Sequence, residues 1–359
     1  MKIPKVRSKS ITYAEAINQA HSYCLRKDKN VFLMGLGVPD PKGIFGTTVG
    51  LEKKFGTERV FDIPLSENAI TGAALGAAIT GLKPILTHQR LDFALVSMEQ
   101  IINQLAKWNY MFGDQTTTPV VIRMIIGRGW GQGPQHSQSL QSLFAHIPGL
   151  KVVMPTTAYD VKGMLISALD IKEPIIFLEH RWLYQIKDSV PTQAYKVKLD
   201  TAKKVINGSK ITIVGISYMT IECIKAANYL KTKGINAEII DLRSIRPLDL
   251  KTIIRSVKKT RKLLVVDNAH MEFGISAEII CSLSIKNNLV RFECPPQRLG
   301  FASNPTPTSK NLANDYYPTA KSIVKKVFSM LSQPLPNDFK AFDVRKNSDQ
   351  PDKTFQGPF

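Results

Sequence analysis

Apolar runs alternate with amphipathic stretches from near the start of the chain to about residue 331. Residues 30–35, 84–87, 119–126, 151–155 and 174–179 are short and almost continuously apolar, as expected of strands buried on both faces. Residues 13–25, entered through Thr12 as a cap, and residues 158–169 have helical spacing. Strands alternating with helices predict a largely parallel sheet flanked by helices. From 186 to 207 the pattern turns polar and extended, which predicts a linker. The alternation then resumes, with strands over 211–216, 237–242, 262–267 and 290–293. Helices are expected over 220–233, 250–257, 276–284 and 319–331. Beyond residue 333, Pro, Asp and Lys dominate without apolar periodicity, so 333–359 is expected to be an extended or disordered tail. The fold class is therefore α/β, with two domains that are each a mainly parallel sheet flanked by helices.

Composition supports that division without changing it. The 359 residues suffice for two domains of ~150 residues. With 43% hydrophobic and 21% charged residues the chain is globular, not disordered. No apolar run approaches a membrane span of ~18 residues, and the basic start of the chain is not followed by the apolar core of a signal peptide. Cys24, Cys223, Cys281 and Cys294 lack disulfide or metal-ligand spacing, which places the protein in the reducing cytoplasm. The net charge of +19 comes from scattered lysines without a nucleic-acid motif. It is assigned to solvated surface, with an acidic partner subunit as the secondary reading.

Common catalytic signatures are absent: there is no GxSxG elbow, HExxH, P-loop or dinucleotide GxGxxG. What remains is quieter. Asp62-Ile63-Pro64-Leu65-Ser66-Glu67-Asn68 leads into a helix built of glycine and alanine, a surface that another chain or a flat ligand can approach closely. Read alone, Ser66 and Glu67 make an ordinary helix N-terminus. Against that small-residue surface, Glu67 is also a candidate proton-transfer acid. A glycine-rich loop from Gly127 follows an apolar strand and ends in Gln135-His136-Ser137-Gln138, at the place where α/β sheets bind ligands. His136 is accordingly either a site residue or a structural loop histidine.

Taken in order, Arg59 to Glu67, the Gly-Ala helix, Gln100-Ile101-Ile102-Asn103-Gln104-Leu105-Ala106-Lys107, Gln135-His136-Ser137-Gln138 and Pro148-Gly149-Leu150-Lys151-Val152-Val153 resemble one family. It is the beta subunits of thiamine-diphosphate-dependent 2-oxoacid dehydrogenases, such as pyruvate and branched-chain dehydrogenases. Asp241-Leu242-Arg243-Ser244-Ile245-Arg246-Pro247-Leu248-Asp249 resembles the C-terminal domain of the same family. The resemblance implies a pyrimidine-binding domain over 8–185 and a transketolase C-terminal-like domain over 208–332. It also implies that Glu67 hydrogen-bonds the aminopyrimidine of thiamine diphosphate and prepares the thiazolium carbon to attack a 2-oxoacid. Phe93 would stack on the pyrimidine, its plainer reading being ordinary core. His136 would orient substrate and assist acyl transfer to a lipoyl carrier.

Several positions depart from the family. Leu36, which the resemblance implies lies beside the cofactor, follows Gly35 where the family's beta subunits commonly carry an acid. His88, Arg90 and Asp92 replace an aromatic-rich segment, so they line an altered substrate pocket or form a surface salt-bridge cluster. Arg128 joins the candidate pocket from the glycine-rich loop. The Gly-Asp-Gly motif that holds the diphosphate and Mg²⁺ is missing, since Gly113-Asp114-Gln115 does not match it. The resemblance therefore implies an alpha subunit carrying that motif, in an α2β2 assembly, with a lipoyl acyltransferase core as a further partner. It also implies a monovalent cation, K⁺, near Val120 and Ala168. Oxidative decarboxylation of a 2-oxoacid is the expected function. Non-oxidative carboligation in a biosynthetic pathway, or a catalytically silent assembly scaffold, are the alternatives.

Overall fold

The computed structural model describes residues 7–127, 132–285 and 290–343. They form two compact units. One is built from the chain up to Ile126 and from Leu143–Leu199, the other from Gly127–Ser142 and the chain from Asp200 onward.

The first unit opens with β1 (Ser8–Thr12) and the helix Tyr13–Lys27. Thr12 caps that helix reciprocally with Glu15, and its buried face holds Ala16, Ile17, Ala20, Cys24 and Leu25. The strands β2 (Val31–Gly35), β3 (Val60–Phe61), β4 (Lys83–His88), β5 (Val121–Ile126), β6 (Lys151–Val153) and β7 (Ile175–His180) follow. They pair in the order β6-β7-β5-β4-β2-β3, all parallel. Their near-continuous burial explains why they read as almost unbroken apolar runs. β8 (Lys187–Pro191) returns antiparallel to β1. The Pro148-Gly149 turn is sterically fixed. Gly149 has φ +95°, and a Cβ there would meet the Ala106 carbonyl oxygen at 1.8 Å.

One charged pair sits inside this sheet. The Arg123 guanidinium on β5 forks onto the Glu179 carboxylate on β7, at 2.6 and 2.7 Å, with both side chains fully buried. The Tyr184 hydroxyl donates to the same carboxylate at 2.9 Å.

The second unit contains β9 (Lys203–Ile206), β10 (Ile211–Gly215), β11 (Ala237–Asp241), β12 (Ser244–Arg246), β13 (Leu263–His270) and β14 (Gln297–Phe301). Five of these form a sheet in the order β14-β13-β10-β11-β9, parallel except for β9.

The polar, extended stretch 186–207 carries β8 and β9, which pair with β1 and β11. Two expectations are revised. The last strand falls at β14 rather than at 290–293. There the Glu293 N–H donates to the Arg261 carbonyl and its carboxylate pairs with Lys262, which holds 290–293 as a connector. The described start of the tail, 333–343, is docked instead of extended. Asn337–Ala341 forms a 3-10 turn, Phe342 stacks on Tyr229 with ring centroids 4.2 Å apart, and Asp338 pairs with Lys233 at 2.6 Å. The loop carrying His136, numbered within the first expected domain, clusters with the second unit.

Candidate functional site

In the first unit, a recess opens where β2, β3 and β4 end, at the carboxyl edge of the parallel sheet. Leu36 enters from the end of β2, Ile63, Pro64, Leu65 and Glu67 from beyond β3, and Thr87, His88 and Gln89 from β4. Phe93, from the short helix Leu91–Ala94, closes it. The enclosed space is only about 10 Å³, so a ligand would meet the rim of the recess rather than fill it.

Glu67 is the first residue of the helix Glu67–Ile79, where the helix dipole favours a carboxylate. The capping alternative fails in part, since the Ser66 side chain makes no cap hydrogen bond. The half-exposed Glu67 carboxylate makes no hydrogen bond or ion pair among the described residues. Phe93 is half-buried at the rim and not part of the core. Along the same helix, Ala69, Gly72, Ala73 and Gly76 lie on a partly exposed stripe of small residues. The Gln89 amide donates to the Leu36 carbonyl at 3.0 Å, which ties two walls of the recess together.

His88, Arg90 and Asp92 do not form a surface cluster. His88 and Arg90 are 3% and 4% exposed. Burial pushes the His88 imidazole down to about 4, so it is neutral at physiological pH, and its Nε2 has no hydrogen-bond partner. Burial also lowers Arg90 to about 10, with Asp92 opposing that shift and Arg181 adding to it. Of the three, His88 faces the recess together with Glu67 and Phe93.

His136 is exposed on the turn Pro134–His136, which belongs to the second unit. Its neighbours Gln135, Ser137 and Gln138 line a cavity of about 470 Å³ with His270, Glu272, Phe301 and Tyr316. The loop is anchored from that unit. Gln141 donates to Asp267 at 2.9 Å, and Asn268 donates to Ser139 at 3.1 Å. Burial pushes Asp267 up to about 6, with the Gln141 amide pulling the other way.

The remaining expected positions stand apart. Arg128 lies outside the described residues. Val120 and Ala168 are buried in the first unit, and their carbonyls accept from the N–H groups of Ile175 and Ile171. Among the described residues no group of three or more His, Cys, Asp or Glu side chains could hold a metal ion.

An unpartnered carboxylate lining one recess with an aromatic ring suits the edge and face of an aminopyrimidine. Residues 9–187 match the transketolase pyrimidine-binding domain and 200–323 the transketolase C-terminal domain. The beta subunit of acetoin:2,6-dichlorophenolindophenol oxidoreductase from Cupriavidus necator is 40% identical, over 86% of this chain and 94% of its own. Its namesake from Bacillus subtilis is 36% identical over 91% and 99%. The beta subunit of the pyruvate dehydrogenase E1 component from Bacillus subtilis is 38% identical over 84% and 92%. The chain belongs to this family of dehydrogenase E1 beta subunits. Among solved structures, an inactive beta4 tetramer of a split-gene transketolase shares the fold with a TM-score of 0.71 at 20% identity, covering 90% of this chain and 98% of its own.

The beta subunit also holds buried groups that sequence motifs did not flag. His21 and His180 are buried; desolvation, with nearby Arg123 for His21 and with Arg90 and Arg181 for His180, lowers both, His180 to about 3. The polar run Glu179-His180-Arg181 at the end of an apolar strand was the available signal. Because His21, His88 and His180 are neutral in the fold, the stability they carry is full above the ordinary histidine value of 6.5. It is lost as pH falls from 6.5 towards 4. Each is expected to contribute a slope of up to ~1.4 kcal/mol per pH unit in that window. Asp267 acts with the opposite sign below about 6, as one group against three. Urea midpoints should fall between pH 7.5 and 5, and His88→Gln should flatten that fall.

Proposed function

We propose that this beta subunit provides the aminopyrimidine half of a composite active site and that an alpha subunit completes it. The observation that carries this reading is the unpartnered Glu67 carboxylate beside Phe93 at the carboxyl edge of the sheet. When bound, thiamine diphosphate supplies a carbon nucleophile and an electron sink for cleavage next to a carbonyl. Glu67 holds and exchanges the proton at the pyrimidine edge, and Phe93 presents its ring to the pyrimidine face. Leu36 and Ile63 keep that contact dry. His88, neutral and with a free Nε2, offers one hydrogen bond at the recess. His136, on its loop, orients substrate and assists acyl transfer.

The partner brings the diphosphate, Mg²⁺ and the Gly-Asp-Gly motif that this chain lacks, in an α2β2 assembly. The partly exposed stripe of Ala69, Gly72, Ala73 and Gly76 supports close approach of another backbone. Val120 and Ala168 are the positions retained for a monovalent cation. The reaction is oxidative decarboxylation of a 2-oxoacid in the cytoplasm, with the acyl group passed to a lipoyl carrier. Relatives named for acetoin favour a second reading, cleavage of a 2-hydroxyketone by the same site.

The test is a substrate screen with co-expressed alpha and beta subunits, scored by dichlorophenolindophenol reduction and by CO₂ release. A 2-oxoacid should give both signals. Dye reduction with acetoin and no CO₂ from any 2-oxoacid would establish the second reading, and silence on all substrates would sink both.

A further inference from the structure

The helix Tyr13–Lys27 presents Gln19, Ser22, Tyr23 and Arg26 at i, i+3, i+4 and i+7, the spacing of one helical face. That face walls a cavity of about 590 Å³ in the first unit, which shares no lining residue with the Glu67 recess. Lys9 reaches it from β1, Lys54 from the helix Leu51–Phe55, and Lys162 from the helix Ala158–Ala168. The lining thus carries Lys9, Arg26, Lys54 and Lys162 and no carboxylate.

These cations are gathered, not scattered. Lys54 and Arg26 both donate to the Ser22 hydroxyl, at 2.7 and 3.2 Å. Lys162 is buried and held in place by the Gln19 side-chain oxygen at 3.0 Å and the Pro191 carbonyl at 2.7 Å. Like charges drawn together in a concave site repel unless an anion sits among them. A contrasting cavity in the second unit, lined by Lys310, Lys321 and Lys325, also contains Asp315 and Asp343.

We propose that the cavity beside Ser22 binds a phosphorylated small molecule. The Arg26 guanidinium and the Lys54 ammonium meeting at the Ser22 hydroxyl, with Lys9 and Lys162 in the same lining, suit a phosphate group. The volume lies in the range of small-ligand sites, and Tyr23 and Gln193 are placed to meet the rest of the molecule. Such a site also gives a use to part of the surplus of +19, which no nucleic-acid motif accounts for.

The experiment is calorimetric titration of the assembled alpha–beta enzyme, already saturated with thiamine diphosphate, with inorganic phosphate and with ATP. Saturable binding of at least one probe is expected, weakened about tenfold or more in the double variant R26Q/K54Q. Both residues are exposed, so the thermal transition without probe should stay unchanged. The variant K310Q/K325Q removes the same charge elsewhere and should bind as wild type. Absence of saturable binding, or equal weakening in both double variants, would overturn the proposal. So would loss of RNA or acidic-protein binding in R26Q/K54Q when neither small probe binds.

Discussion

Glu67→Gln is expected to leave folding and assembly with the alpha subunit intact while lowering turnover by about 10²–10⁴-fold, the usual share of a positioned proton-transfer group. The substitution keeps the shape of the side chain at the start of the helix Glu67–Ile79. A glutamine amide does not exchange a proton with a pyrimidine nitrogen as a carboxyl group does. The loss should appear in kcat more than in KM, because the interaction strengthens along the reaction. Deuterium exchange of the thiazolium-carbon proton in the assembled enzyme reports the same step directly. Exchange at the wild-type rate would remove Glu67 from the mechanism. Cofactor binding measured alongside separates a chemical role from a purely structural one.

The second large effect concerns stability. Arg123→Leu strands the Glu179 carboxylate inside the sheet, keeping, among the described residues, only the Tyr184 hydroxyl as its donor. Breaking a buried, bidentate pair in this way costs about 3–5 kcal/mol. The urea transition of the first unit should move to markedly lower concentration. The double variant R123L/E179L removes both charges and should recover most of the loss, since replacing a whole buried pair by apolar groups is often close to neutral. A double variant as unstable as the single one would mean that packing, and not the uncompensated charge, sets the cost.

Much of the first unit was legible because its strands are buried on both faces. Val121–Ile126 and Ile175–His180 have no exposed residue, so periodicity had only to find continuous apolar runs. The edge strand Gln297–Phe301 was missed for the complementary reason. It is half-buried and contains Gln, Arg and Gly, so it resembles a loop. The polar stretches of β8 and β9 were hidden in the same way, since each lies at the margin of its sheet. Within the site, Leu36, Glu67, His88 and Phe93 were proposed one by one from the sequence, and the fold places them around one recess. Whether Arg90 and Asp92 lie inside or on the surface was not readable, because a short polar segment looks the same in both settings. The basic cavity was invisible for a different reason. Its cations come from four elements, two adjacent near the start of the chain and two at Leu51–Phe55 and Ala158–Ala168, and only the helical stripe is local.

The loop from Gln132 to Ser142 gives this chain an unusual genetic grammar. It is written in the middle of the first domain's coding stretch, yet Asp267 and Asn268, which receive and steady it, are written far downstream. A recombination event joining two related genes near residue 200 would pair a loop from one parent with anchors from the other. Exchange at that junction is therefore not neutral, because His136 travels with one half of the gene while the residues that hold its loop travel with the other.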